Sequence, residues 1–202
     1  MSEHAEDDHD DHEGHGHDDS HSHDDGHSHG HDDDNHDHHH QHDEHRLGVA
    51  VVTVSNSRTL DDDPSGDRIE SLLTDEGHEV TVRELIPDEY DSVQGTVGRL
   101  ADREDVDLVV TTGGTGVTPD DVTVEAVEPL LDKELPGFGE LFRRRSHEEI
   151  GTRAIATRAM AGVDEGVLVC CLPGSEAAVR LGVAELVVPE APHLVGLARR
   201  SD

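Results

Sequence analysis

From Gly48 the chain runs GVAVVTV, a continuous apolar stretch rich in β-branched residues. Such a run suits a strand of a parallel sheet covered on both faces. The polar loop SNSRTLDD follows, and Asp63-Pro64 then predicts a helix start, with Asp as N-cap and Pro in the first turn. Ile69, Leu72 and Leu73 fall at i, i+3 and i+4 before Gly77 ends that element. EVTVRELI (79–86) alternates like a second strand and stops at Pro87; Val93, Val97 and Leu100 lie at helical spacing within 89–104. VDLVVTT (106–112) predicts a third strand that runs straight into Gly113-Gly114-Thr115-Gly116. The remainder predicts a helix over 123–132, an irregular PGFG segment, helices across 138–160, a strand over 167–172 (VLVCCL) and a helix over 174–188 with Ala177, Leu181, Ala184 and Val188 on one face. Strands alternating with helices predict a three-layer, doubly wound α/β fold with a mainly parallel sheet.

The pattern begins only after residue 45, which divides the chain into a tail (1–45) and one domain (46–202). The domain's length is ordinary for a single hydrophobic core. Residues 3–45 are almost entirely His, Asp, Glu, Gly and Ser, and hold 16 of the 19 histidines and no Lys or Arg. A segment so poor in apolar residues cannot offset the entropy of ordering, so disorder is expected there. Histidines interleaved with carboxylates, densest at His38, His39, His40 and His42, make a ligand mixture for Zn²⁺, Ni²⁺, Cu²⁺ or Co²⁺. The spacing defines no closed tetrahedral site. A metal buffer and a merely solvating acidic tail both fit.

Charge narrows the function. The formal charge is −33, of which the tail carries −17 and the domain −16. With Tyr90, Phe138 and Phe142 as the only aromatic residues, the chain offers neither the basic patch nor the stacking surface of a nucleic-acid binder. Its basic residues are 14 Arg and one Lys, and this surplus of acid resembles the salt-adapted composition of a halophile. No run of 18 apolar residues and no secretory leader pattern occurs, which predicts a cytoplasmic protein without membrane attachment. Cys170 and Cys171 are adjacent on a predicted strand, so they point to opposite faces and cannot pair with each other; they read as small buried residues.

In open α/β sheets ligands bind beyond the carboxyl ends of the strands. Four predicted strand-end loops carry chemistry: Ser55-Asn56-Ser57-Arg58, Pro87-Asp88-Glu89, Gly113 to Asp121, and Pro173-Gly174-Ser175. Glycine-rich turns opening a helix present free N–H groups and a positive dipole end, which suits phosphate. The alternative is a tight turn with no ligand, since GGTG is neither GxGxxG nor a Walker A loop.

Read in order, TVSNSRT, SGDRIESLL, LIPDE, TTGGTGVTPDDVTVEA, ELPGFGELFRRRSHEEIG, TRAMAG and LPGSEAAV resemble the molybdenum cofactor biosynthesis family of the MoaB/MogA type, whose domain also occurs in plant Cnx proteins and gephyrin. The resemblance spans about residues 47–200. It implies a molybdopterin-binding α/β domain that assembles as a trimer or hexamer. It also implies Mg²⁺- and ATP-dependent transfer of AMP to molybdopterin, releasing pyrophosphate and supplying the molybdate-insertion enzyme. Carried over by position, the catalytic aspartates fall on Asp88 and Asp121, which would hold Mg²⁺ through the substrate phosphates. Gly113, Gly114, Thr115 and Gly116 would cradle phosphate, with Ser55 and Asn56 beside them, and Pro173, Gly174 and Ser175 would receive the phosphate of the pterin. Arg58 and Arg158 are candidate anion contacts, or equally partners of local carboxylates. Glu134 and Glu140 flank PGFG and would hold that loop or a subunit interface. Arg143-Arg144-Arg145 balances local carboxylates or meets an anionic partner. The family usually has Ser-Asp where this chain has Ser55-Asn56, a lost charge that favours the competing reading of a non-catalytic molybdopterin carrier or scaffold. Two other readings are a metal-binding tail on an oligomeric carrier, and a competence-damage-type nucleotide hydrolase, whose GGLGPT pattern differs from GGTGVT here.

Overall fold

The computed structural model describes residues 46–200. The tail and its histidines, His38, His39, His40 and His42 among them, lie outside the described residues.

Six strands form one sheet in the order β2-β1-β3-β6-β5-β4. They are β1 (Gly48–Val54), β2 (Glu79–Ile86), β3 (Leu108–Thr112), β4 (Lys133–Glu134), β5 (Met160–Asp164) and β6 (Val167–Leu172). The first three and β6 run parallel; β5 and β4 add an antiparallel edge. Helices are α1 (Pro64–Asp75), α2 (Tyr90–Ala101), α3 (Thr123–Val127), α4 (Pro136–Ile150), α5 (Glu176–Gly182) and α6 (Val188–Ala198).

Period-2 alternation sorts each central strand between two cores. Val49 and Val51, Leu108 and Val110, and Leu168, Cys170 and Leu172 face one side, against Ile69 and Leu73 of α1, Phe142 of α4, and Val179 and Val195 of the last two helices. Ala50 and Val52, Val109, and Val169 and Cys171 face the other, against Val93, Val97 and Leu100 of α2 and Ala126 of α3. This is the expected three-layer doubly wound arrangement, and it explains why those strands have no polar face. The two cysteines enter opposite cores, and burial pushes the Cys171 thiol up to about 11 and that of Cys170 higher still. Both are inert packing residues.

Four sequence expectations change. PGFG is the first turn of α4, with Pro136 at the position where a missing N–H costs nothing. The segment 138–160 is not helical throughout: α4 gives way to a 3₁₀ stretch, Gly151–Ala156, and Met160 opens β5. The helix over 123–132 ends early, in a 3₁₀ turn at Glu128–Leu130. The last helix continues past Val188, through a π-turn at Val183–Val187 into α6, which carries Pro189 in its first turn and Pro192 inside it. The run Glu176–Ala198 is long and apolar enough to span a membrane by length and composition alone. Here Val179, Leu181, Val183, Val187, Ala191 and Val195 of that run are buried against the sheet.

Candidate functional site

The chain leaves β1 over one face and returns to β3 over the other, so the topological switch lies between these two neighbours. There the four chemically loaded loops converge. Gly113 takes φ +105° and Gly114 φ +64°, conformations that favour glycine. A Cβ on Gly113 would lie 2.2 Å from the Val54 carbonyl oxygen, so the turn is pressed against the end of β1. The turn is pinned on both sides. Gly113 N–H donates to Leu172 O (3.0 Å), Thr112 Oγ1 donates to Pro173 O (3.0 Å), and Thr123 donates through Oγ1 to Gly113 O (2.9 Å) and through N–H to Gly114 O (3.0 Å).

Two carboxylates flank this turn where glycines leave room. A Cβ on Gly114 would approach Asp88 Oδ1 to 2.8 Å, and one on Gly116 would approach Asp121 Oδ2 to 2.7 Å. The backbone N–H of Asp88 donates to Asn56 Oδ1 at 3.0 Å, which ties the β1 and β2 loops together. An aspartate at position 56 would accept the same bond with an added charge. Asp88 Oδ1 is buried and has no hydrogen-bond partner among the described residues. Burial, with Asp121 and Asp120 nearby, raises the Asp88 carboxyl above its ordinary value, against an opposing N–H from Val122. Burial also works to raise Asp121, but donation from Thr118 Oγ1 (2.7 Å), from the Thr118 and Gly116 N–H groups, and the proximity of Arg158 hold it below the usual carboxylate range. Neighbouring carboxylates are thereby pushed in opposite directions.

The structure places both candidate arginines on protein partners. Arg158 pairs with Glu125 and donates to the carbonyls of Gly116 (2.7 Å) and Asp121 (3.0 Å), so it clamps the loop that carries Asp121. Arg58 reaches Ser65 Oγ (3.1 Å), Asp63 Oδ1 (3.4 Å) and Gly174 O (3.4 Å). Ser55 turns its hydroxyl to the Ser57 N–H (3.2 Å), and Ser175 caps α5 by accepting from Ala178 N–H (3.3 Å). Glu134 and Glu140 line a second cavity of about 440 Å³ beside the start of α4.

Two residues of the site escape sequence reasoning, which reaches Asp63 only as a helix cap and does not reach Arg153. The fully buried carboxylate of Asp63 also joins Thr53 (2.6 Å), Arg83 (3.2 Å) and Arg58, making it the hub beneath the Gly174 loop. Arg153, on the 3₁₀ stretch, lines a cleft of about 290 Å³ together with Gly114, Thr115, Gly116, Asp121 and Gly174. Its only sequence signal is a basic residue in an acidic chain.

Among the described residues no cluster of three or more His, Cys, Asp or Glu forms a ready metal site. Mg²⁺ needs none, because it keeps several waters and is held by one or two carboxylates plus substrate phosphates. Asp88, with an unpartnered buried oxygen, and Asp121 suit that mode.

The family described as "Probable molybdopterin binding domain" matches residues 50–193. The Molybdenum cofactor biosynthesis protein B of Halalkalibacterium halodurans is 44% identical over 146 residues, which cover 72% of this chain and 86% of that protein. Among solved structures, a Molybdenum cofactor biosynthesis protein B aligns with a TM-score of 0.75 at 44% identity, covering 77% of this chain and 98% of the other. The tungsten cofactor synthesizing protein MoaB from Pyrococcus furiosus aligns with a TM-score of 0.70 at 38% identity, covering 78% and 99%. With its switch-point cleft, glycine turn and paired aspartates, the chain belongs to the MoaB/MogA family of molybdenum cofactor biosynthesis proteins.

Proposed function

We propose that this protein transfers AMP from ATP to the terminal phosphate of molybdopterin, giving adenylylated molybdopterin and pyrophosphate. A phosphate oxygen of the pterin attacks the α-phosphorus of ATP, and the bond to the β-phosphate oxygen breaks. Such a reaction asks the protein mainly to align two anions and stabilise developing charge. One observation carries the reading: Asp88 and Asp121 flank the glycine turn at the switch point, in the spaces that Gly114 and Gly116 leave open. With the Gly113 and Gly116 N–H groups taken by Leu172 O and Asp121, the N–H groups of Gly114 and Thr115 would receive phosphate, and Pro173, Gly174 and Ser175 would bound the pterin side. Mg²⁺, held by Asp88 and Asp121 with the substrate phosphates, would neutralise charge on the transferring group. The protein would work in the cytoplasm as a trimer or hexamer and hand its product to the molybdate-insertion enzyme. Transition metals on the tail histidines would be an accessory store.

Asn56 favours a second reading, a carrier that binds molybdopterin without turnover, because the loop there lacks the family's usual charge. An adenylyl-transfer assay in molar KCl with molybdopterin, ATP and Mg²⁺ separates the two. Transfer by the full chain, falling about 10²–10³-fold in Asp88→Asn while molybdopterin binding persists, is the expected result. Binding without transfer in the unaltered chain would overturn the enzyme reading in favour of the carrier.

A further inference from the structure

The proposed ligands are polyanions, and the domain is itself strongly acidic. Positive charge beyond that of the Mg²⁺ of the proposed reading has to come from the cleft's own walls. Backbone N–H groups provide part of it. The two arginines nearest in sequence to the loaded loops are already held by protein partners, Arg158 by Glu125 and two carbonyls and Arg58 by Asp63 and Gly174. Arg153 is the cationic side chain that lines the cleft, and it is exposed with no ion pair to any described residue. Other exposed arginines of the domain, Arg144 among them, also lack a carboxylate among the described residues; Arg153 differs from them in lining the cleft at the glycine turn.

Its position is built rather than incidental. Gly151, at φ +61°, ends α4 and turns the chain into the 3₁₀ stretch that carries Arg153. Two residues beyond that stretch Arg158 N–H donates to Thr115 O at 3.0 Å, which fastens the segment to the glycine turn. Thr115 lines the same cleft, and its buried hydroxyl has no partner among the described residues. Neither feature is a marker alone, since Thr111 on β3 also has a buried hydroxyl without a partner among the described residues; what singles out this cleft is that an unpartnered buried hydroxyl and an unpaired guanidinium line the same space, where a ligand phosphate would serve both.

We propose that Arg153 is the side chain that recognises the ligand's phosphate, pairing its guanidinium with an oxyanion seated against the Gly113–Gly116 turn, so that the cleft selects phosphorylated over unphosphorylated ligands. This rests on the reading of a phosphorylated ligand given above but not on turnover. Guanidinium and phosphate match as a two-pronged, charge-assisted pair, which a lysine satisfies only as a point charge. The phosphate could come from the nucleotide or from the pterin, and the two are told apart by titrating each separately.

The test uses the full chain in molar KCl. Binding of ATP with Mg²⁺ and of molybdopterin is measured by calorimetry for the unaltered protein, Arg153→Gln, Arg153→Lys, and Arg144→Gln on the exposed face of α4 as a control. Arg153→Gln should weaken binding of one of the two ligands by about 10–100-fold, and that ligand then names the source of the phosphate. Arg153→Lys should recover part of the loss, Arg144→Gln should bind like the unaltered chain, and all should share one urea midpoint. Where AMP transfer occurs, Arg153→Gln should raise KM for the affected ligand far more than it lowers kcat. Binding of both ligands within twofold of the unaltered chain would overturn the assignment even if AMP transfer is intact. Weakened binding would uphold it even if the chain proves to be a carrier. An unaltered chain that binds neither ligand would overturn this inference and the enzyme reading together.

Discussion

Asp63 links the stability of the domain to the shape of its cleft, and removing it should show both. Asp63→Ala deletes the acceptor of four donors: Thr53 Oγ1, Gly66 N–H, Arg83 and Arg58. Loss of the N-cap alone costs about 1 kcal/mol. Breaking a buried ion pair costs about 3–5 kcal/mol when the partner is left stranded. Arg83 keeps Asp67 and Glu70, and the Arg58 side chain is 32% exposed, so the pair falls at or below the low end of that range. The sum is about 3–4 kcal/mol, a large part of the ~5–15 kcal/mol that holds a typical domain. Asp63→Asn keeps a capping oxygen and loses only the charge, and should cost about half as much. Urea unfolding followed by circular dichroism in molar KCl measures both. The sign with pH is also fixed. Burial works against the charge, but the Thr53, Gly66 and Arg83 bonds outweigh it and hold the Asp63 carboxyl below its ordinary value. As pH falls the unfolded chain takes up this proton first, so the contribution is full above about pH 4 and fades below it. The gap in stability between the unaltered protein and Asp63→Asn should therefore shrink on acidification. A loss under about 1 kcal/mol in Asp63→Ala, where even the cap should cost that much, would refute the hub reading.

Gly113→Ala places a methyl 2.2 Å from the Val54 carbonyl at φ +105°, and should destabilise by at least about 1–3 kcal/mol and abolish ligand binding; calorimetry against an equally unstable surface variant checks it. Burial holds the His78 imidazole below its ordinary value, against a weaker opposing pull from Glu76, and its Nδ1 accepts from Leu47 N–H at 3.3 Å. The unfolded chain is then protonated first, so stability present above about pH 6.5 is lost as pH falls further. The unaltered protein should lose more stability than His78→Gln across that window in urea titrations. Dialysis below about 0.1 M salt, where the Debye length reaches about 10 Å, should unfold the acidic domain, and an unchanged circular-dichroism spectrum would refute the salt-adapted reading.

The sequence made the central sheet legible because β1, β2 and β6 are apolar runs or alternations whose ends coincide with Gly, Pro or a polar turn. It hid β5 because MAGVD is five residues long, contains Gly162 and follows directly on a 3₁₀ stretch, so no period develops. Gly162 is required there: a Cβ would lie 2.4 Å from the Leu131 side chain and 2.7 Å from Lys133 O. The loops of the candidate site were legible from residue type, since Gly, Asp and Ser crowd the ends of predicted strands. Side-chain pairing was not. Arg158 meets Glu125 across 33 positions, and Arg58 reaches Gly174 across 116, separations that only the finished sheet brings together. Arg153 escaped notice because an exposed arginine gains meaning only from the cleft it lines, which forms only in the finished fold.

The polar atoms of the switch point fall into two groups. Gly113, Thr112, Thr123, Arg58, Arg158 and the Asn56 amide have their bonds within the protein, and those bonds tie strand-end loops to one another or brace the glycine turn from within. Asp88 Oδ1 and the Thr115 hydroxyl have none, although each is buried; the Thr111 hydroxyl, within the sheet on β3, also lacks one but does not line the cleft. Leaving such an atom unpartnered costs about 1–3 kcal/mol. Asp88 and Thr115 both adjoin Gly114, beside the space where a ligand phosphate and its cation would seat. The loops are thus held by one set of groups while Asp88 and Thr115 are left open, and in the proposed reading a bound phosphate and its cation would replace their missing bonds.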